Sequence, residues 1–118
     1  RIHEASEEYL TRLRLPWFNS WAGFSEVRFN RYEESRLMAE HCDHIHSMFD
    51  GERKGIPTMT FLASLNDEYT GGEFVMWGDE VIPMAKGSAL VFPSCFLYPH
   101  RVDPVINGIR YSCVSWSW

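Results

Sequence analysis

The chain has 118 residues and a formal net charge of −5, with 45% hydrophobic and 15% aromatic positions; that is enough apolar side chain for one core and too little length for two. Arg53-Lys54 is the only local basic cluster, so a phosphate backbone is excluded as main partner, because proteins that neutralise one carry a basic stripe. No apolar run approaches the roughly 20 residues of a membrane helix and the charged opening stretch is no signal peptide, so neither nucleic acid nor membrane is expected, and the partner is a peptide or a small molecule.

Residues 2–14 place Ile2, Ala5, Tyr9, Leu10 and Leu13 at helical spacing between charged neighbours, the pattern of an amphipathic helix packing its stripe on a core. Pro16 stops it. Apolar stretches of strand length follow at 26–32, 37–43, 58–66, 73–77, 88–92, 100–102 and 109–116, separated by Gly, Asn, Asp and Pro. Many short strands in this arrangement predict a mainly β sandwich or jelly roll with the N-terminal helix packed on it. Residues 1–118 read as a single domain, and the start at Arg1, without methionine, as a trimmed chain. Cys42, Cys95 and Cys113 form neither an even set nor a C-x-x-C pair, so the cytoplasm or another reducing soluble compartment is expected.

On an extended strand His41 and Asp43 project together while Cys42 points away. His100, from a distant strand, completes a set of two imidazoles and one carboxylate, the donor set with which non-haem Fe(II) sites leave one face open. Residues 33–44 are also rich in helix formers; on a helix His41 and His44 would share a face and become a zinc pair instead. The strand is preferred, because the helix leaves Asp43 and the segment from His100 to Arg110 unexplained. His44 and His46 then take solvated or lid positions, and His3 is exposed on the first helix. Residues 44–57, with Gly51 and Gly55, read as a flexible loop leaving the metal strand.

Along the last strand Arg110, Ser112, Val114 and Trp116 share one face. A guanidinium inside a small barrel is costly unless an anion meets its fork, either an acidic side chain of the chain itself or a bound carboxylate.

Tyr32, Met38 and His41-Cys42-Asp43, the segment Phe61-Leu62-Ala63-Ser64-Leu65-Asn66, the turn Gly71-Gly72-Glu73 before Phe74, the run Gly87-Ser88-Ala89-Leu90-Val91-Phe92-Pro93, then His100-Arg101-Val102, Pro104-Val105 and Gly108-Ile109-Arg110-Tyr111-Ser112 stand in one order. In that order they resemble the 2-oxoglutarate- and Fe(II)-dependent dioxygenases, most closely the prolyl 4-hydroxylase-like branch, over the last three quarters of the chain. Ser35 departs from a common glycine, and Ala63 and Ser64 stand where relatives often place a tyrosine. The resemblance implies a double-stranded β-helix, Fe(II) on His41, Asp43 and His100, and 2-oxoglutarate with its far carboxylate on Arg110. It further implies Ser112 as a second donor, Tyr32 near the co-substrate, Trp116 lining the substrate pocket, and ascorbate as a reductant. The implied activity consumes O2, releases succinate and CO2, and hydroxylates a C–H bond, expected on a peptidyl proline. A free amino acid as substrate, or a cupin-like module that binds metal without oxygen chemistry, are the alternatives.

Overall fold

The computed structural model describes residues 2–18, 21–44 and 56–118. Helix α1 (Ile2–Leu13) turns Ile2, Ala5, Tyr9 and Leu10 half inward, leaves Leu13 exposed, and contacts β7 (Ala89–Pro93). Its end is built by Arg14 at φ 53°, whose N–H bonds back to the Leu10 carbonyl at 3.1 Å; this left-handed cap turns the chain before Pro16 is reached. No helix among the described residues is long and apolar enough to cross a membrane.

The remaining strands are β1 (Arg28–Tyr32), β2 (Met38–His41), β3 (Met59–Ser64), β4 (Tyr69–Gly71), β5 (Phe74–Met76), β6 (Glu80–Ile82), β8 (His100–Val102), β9 (Val105–Gly108) and β10 (Arg110–Ser117). They form two four-stranded antiparallel sheets, in the orders β1-β10-β3-β7 and β2-β8-β5-β6, with β4 and β9 pairing apart. The fold is thus mainly β with one N-terminal helix. All seven sequence-predicted strands appear, most of them shorter. Three were not predicted: β4, β6 and β9 hold three or four residues each, too few to display the apolar alternation by which a strand is read.

Residues 33–44 do not form a helix. Ser35, at φ 66°, donates its N–H to the Val105 carbonyl at 2.8 Å, and Met38 then enters a ladder with Val102; local propensity yields to this pairing. The expected strand over 37–43 is shorter and irregular. Met38 faces Val102 and His41 faces His100, so three steps along β2 match two along β8. The extra residue is a β-bulge, which resets which side chains point inward. Met38 and His41, of opposite parity, therefore both face the interior, and Asp43 lies beyond the strand end.

The core fills the space between the two sheets: Tyr32, Leu62, Phe92, Val114 and Trp116 from the first meet Phe74, Met76 and Val102 from the second. Phe74 is 3% exposed, with its ring centroid 6.1 Å from that of Phe92 and 5.2 Å from that of His100. On the outer face of β3, Phe61 takes Trp21 and Phe24 edge-on at 6.1 and 5.7 Å. Burial decides the cost of removing a ring. Phe74→Ala is expected to lower the unfolding free energy by about 3–5 kcal/mol, whereas Phe29→Ala, at a side chain 73% exposed, should stay within about 0.5 kcal/mol; denaturant titration of both variants measures the difference.

Candidate metal centre

Antiparallel pairing sets His41, the last residue of β2, opposite His100, the first of β8, with ring centroids 4.4 Å apart. Each ring is fixed in the same way. His41 Nδ1 lies 2.8 Å from the carbonyl of Ala39 and His100 Nδ1 lies 3.1 Å from that of Tyr98, two residues back in both cases. A carbonyl can only accept, so Nδ1 carries a hydrogen and Nε2 faces the site; bare, it can ligate a metal, and protonated, it donates to Asp43. Asp43 Oδ1 stands 3.2 Å from His41 Nε2 and 3.5 Å from His100 Nε2. The three ligand atoms lie within 4.8 Å of one another and can hold a metal ion; packing also brings the rings of Phe74 and Phe92 to His100, at 5.2 and 5.1 Å.

The second oxygen of Asp43 is held from the opposite sheet. Thr60 Oγ1 donates to Oδ2 at 2.8 Å and the indole N–H of Trp116 at 3.1 Å. Thr60 is itself 2.8 Å from Ser94 Oγ; since its hydrogen is spent on Asp43, Ser94 donates to it. Burial alone would raise the Asp43 carboxyl, but the hydrogen bonds from His100, His41 and Trp116 hold it well below the usual carboxylate range. Trp116 lines the cavity as well, so the indole both walls the site and orients its carboxylate. Thr60 and Ser94 escaped sequence reasoning, because a threonine and a serine among apolar neighbours read as ordinary strand residues until pairing sets Thr60 opposite Trp116 and Phe92.

From Asp43 and His100 the cavity runs between the sheets to Tyr32, Arg110 and Ser112. Arg110 is 1% exposed. Its Nη1 donates to Ser112 Oγ at 3.2 Å and its guanidinium carbon sits 5.2 Å from the Tyr32 ring centroid, yet Nε and Nη2 have no hydrogen-bond partner. Among the described residues no carboxylate pairs with it, so the alternative of an internal acidic partner finds no candidate. A buried cation with two unmet donors is a costly arrangement that a bound carboxylate relieves. Gly72, at φ +67°, makes room for it: a Cβ there would stand 3.1 Å from Arg110 Cδ and 3.0 Å from Val105 Cγ2.

The other candidates lie apart from this cavity. His44 is exposed, His3 pairs with Glu7 at 3.4 Å on α1, and His46 with most of the 44–57 loop falls outside the described residues. Ser64, on the strand where a tyrosine was noted as missing, turns its hydroxyl to the Asn66 carbonyl at 3.1 Å. Cys42, Cys95 and Cys113 are free and half-buried, and burial pushes the Cys113 thiol up.

The family model of the 2OG-Fe(II) oxygenase superfamily matches residues 27–118. A PKHD-type hydroxylase of Delftia acidovorans is 35% identical over 97 residues, which cover 76% of this chain and 42% of that protein; the chain thus spans less than half the length of the curated relatives it matches. Among solved structures, the viral collagen prolyl hydroxylase of Paramecium Bursaria Chlorella virus-1, in its 2OG complex, superposes with a TM-score of 0.75 at 18% identity, covering 98% of this chain and 69% of that one. A Trichoplax adhaerens prolyl hydroxylase, in complex with a hypoxia inducible factor peptide fragment, gives 0.71 at 20% identity over 99% and 54%. These two likenesses speak for the fold.

The Asp43 hydrogen bond raises the His41 pKa above its ordinary 6.5, more than burial lowers it. A raised folded pKa stabilises fully below the unfolded value and is lost as pH rises through the folded one. In metal-free protein the melting temperature of wild type minus that of His41→Gln is therefore expected to be largest near about pH 6 and to shrink toward about pH 9; a difference that is flat across this range would mean that the pair adds no pH-linked stability.

Proposed function

The chain belongs to the 2OG-Fe(II) oxygenase superfamily, and from that premise we propose that it is an Fe(II)- and 2-oxoglutarate-dependent dioxygenase built on a double-stranded β-helix, hydroxylating a C–H bond of a peptidyl proline. The observation that carries the reading is the buried Arg110 guanidinium, with two unmet donors, on a cavity that is also lined by Asp43 and His100, which His41 joins in one cluster of three ligand atoms. Both groups fit the residues present. Fe(II) would be held by His41, Asp43 and His100, and the far carboxylate of 2-oxoglutarate by Arg110, with Ser112 and Tyr32 beside it. Bound together, metal and co-substrate supply the oxidising chemistry that uses O2, releases succinate and CO2 and places a hydroxyl on the substrate.

The chain's own residues order the site. Thr60 and Trp116 keep Asp43 Oδ2 occupied, which leaves Oδ1 to the metal. Phe74 and Phe92 shield His100 from water, and Trp116 walls the substrate side. The peptide bound to the Trichoplax neighbour supports a peptidyl substrate, and the free cysteines support a reducing compartment. A cupin-like module without oxygen chemistry would use the same three ligands but leaves the unmet donors of Arg110 without a purpose.

Anaerobic reconstitution with Fe(II), followed by exposure to O2, is expected to convert 2-oxoglutarate to succinate, faster with a proline-rich peptide that gains one oxygen by mass spectrometry. Replacing His41 or His100 with Ala should abolish stoichiometric Fe(II) binding in folded protein; tight binding retained by both variants would remove the proposed ligand set. Arg110→Ala should raise the 2-oxoglutarate Kd by roughly ten- to a hundredfold with metal still bound, since a charge-assisted contact is worth about 1.5–3 kcal/mol. Arg110→Lys should recover part of the affinity, as a point charge replaces the fork.

A further inference from the structure

Arg28 is a second arginine on the cavity that the chemistry above does not use. On β1 the side chains of Arg28, Asn30 and Tyr32 all line the cavity, in a series from exposed through half-buried to buried, so β1 leads from solvent at Arg28 to the buried pocket at Tyr32. Four cations of this acidic protein are neutralised close by: Arg12 by Glu8, Arg31 by Glu33, Lys86 by Glu68 and Arg101 by Asp103. Among the described residues Arg28 has no such partner. Arg14 and Arg36 lack one too, but neither lines this cavity.

Its place along the strand says what it meets. Tyr32 pairs with Arg110, whereas Arg28 pairs with Val114, next on that face to Trp116 and hence to Asp43. Four residues of strand separate the two levels, about 13 Å at roughly 3.3 Å per residue. The anion held at Arg110 therefore lies at the buried end of β1, while Arg28 stands at the solvent end, closer along the ladder to the indole that holds Asp43. What approaches Arg28 enters from solvent on the metal side. Resting on the dioxygenase reading for the other occupants of the cavity, we propose that Arg28, with Asn30 beside it, determines substrate specificity by pairing with a carboxylate that the substrate carries close to the reacting carbon.

The carboxylate has two sources, an acidic side chain next to the target residue in a peptide or the α-carboxylate of a free amino acid. Binding of two probe pairs distinguishes them: a blocked proline peptide with aspartate beside the proline against its asparagine twin, and L-proline against prolinamide. Each is titrated anaerobically, by calorimetry, into protein loaded with Mn(II) and 2-oxoglutarate. Wild type is expected to prefer the acidic member of one pair by about three- to tenfold, less at high salt, and that pair names the source. Arg28→Gln should erase the preference, and Arg28→Glu should reverse it toward a peptide with lysine in the aspartate position. Lack of preference in wild type for either pair, or a preference undiminished in Arg28→Gln, overturns the proposal. So does Arg28→Gln weakening 2-oxoglutarate itself by the same factor, which would place the side chain on the co-substrate. Failure of wild type to bind 2-oxoglutarate with metal present would count against the dioxygenase reading alone, because the carboxylate preference is then read in the same titrations with Mn(II) only.

Discussion

One carboxylate joins the two sheets at the site. Asp43 turns Oδ1 to His41 and His100, both on the sheet ordered β2-β8-β5-β6, and Oδ2 to Thr60 and Trp116, both on the sheet ordered β1-β10-β3-β7. Its two oxygens thus satisfy donors from opposite walls, and every group in the arrangement constrains the others. The two imidazoles are anchored through Nδ1 to the backbone of their own chain segments, so little freedom is left for the three ligand atoms to drift apart. Rigid support of this kind is what keeps a metal site productive.

The other end of the cavity follows a different logic. Around Asp43 the polar atoms are met; around Arg110 they are left wanting. Ser112 and the Tyr32 ring occupy part of the guanidinium, and Gly72 withholds the side chain that would fill the space beside it. The fold therefore carries a local cost at Arg110 that a bound anion repairs, while the centre at Asp43 is complete as a hydrogen-bonded unit. Order at one end and deficit at the other give the cavity its polarity.

Much of this was legible in the sequence, and the rest was hidden for identifiable reasons. Arg110, Ser112, Val114 and Trp116 share a face of β10, whose pairing with β1 and β3 runs without a register shift. His41 and Asp43 do come together, but not by strand parity: a bulge in β2 turns His41 inward and Asp43 lies past the strand end. Parity is reliable only while the ladder is regular, and nothing in Met38-Ala39-Glu40-His41 announces an extra residue. Thr60 and Ser94 were silent because their importance is a property of what lies across the sheet, which a linear reading does not contain. Trp116 was singled out for its place near the substrate, whereas its hydrogen bond to Asp43 needs the geometry of both sheets.

The order of strands in the first sheet also bears on how the protein is made. β10 lies between β1 and β3 and pairs with both, although it follows β1 by about 80 residues. At roughly 5–20 residues per second of synthesis, β1 waits on the order of 4–16 s for the strand that will flank it. During that interval Phe29 and Tyr32 belong to an unpaired strand, and the cavity has neither its guanidinium nor its indole, since both arrive on β10. A nascent chain stalled before residue 110 thus presents open strand edges and an incomplete cavity, a species on which chaperones and proteases act before the site exists.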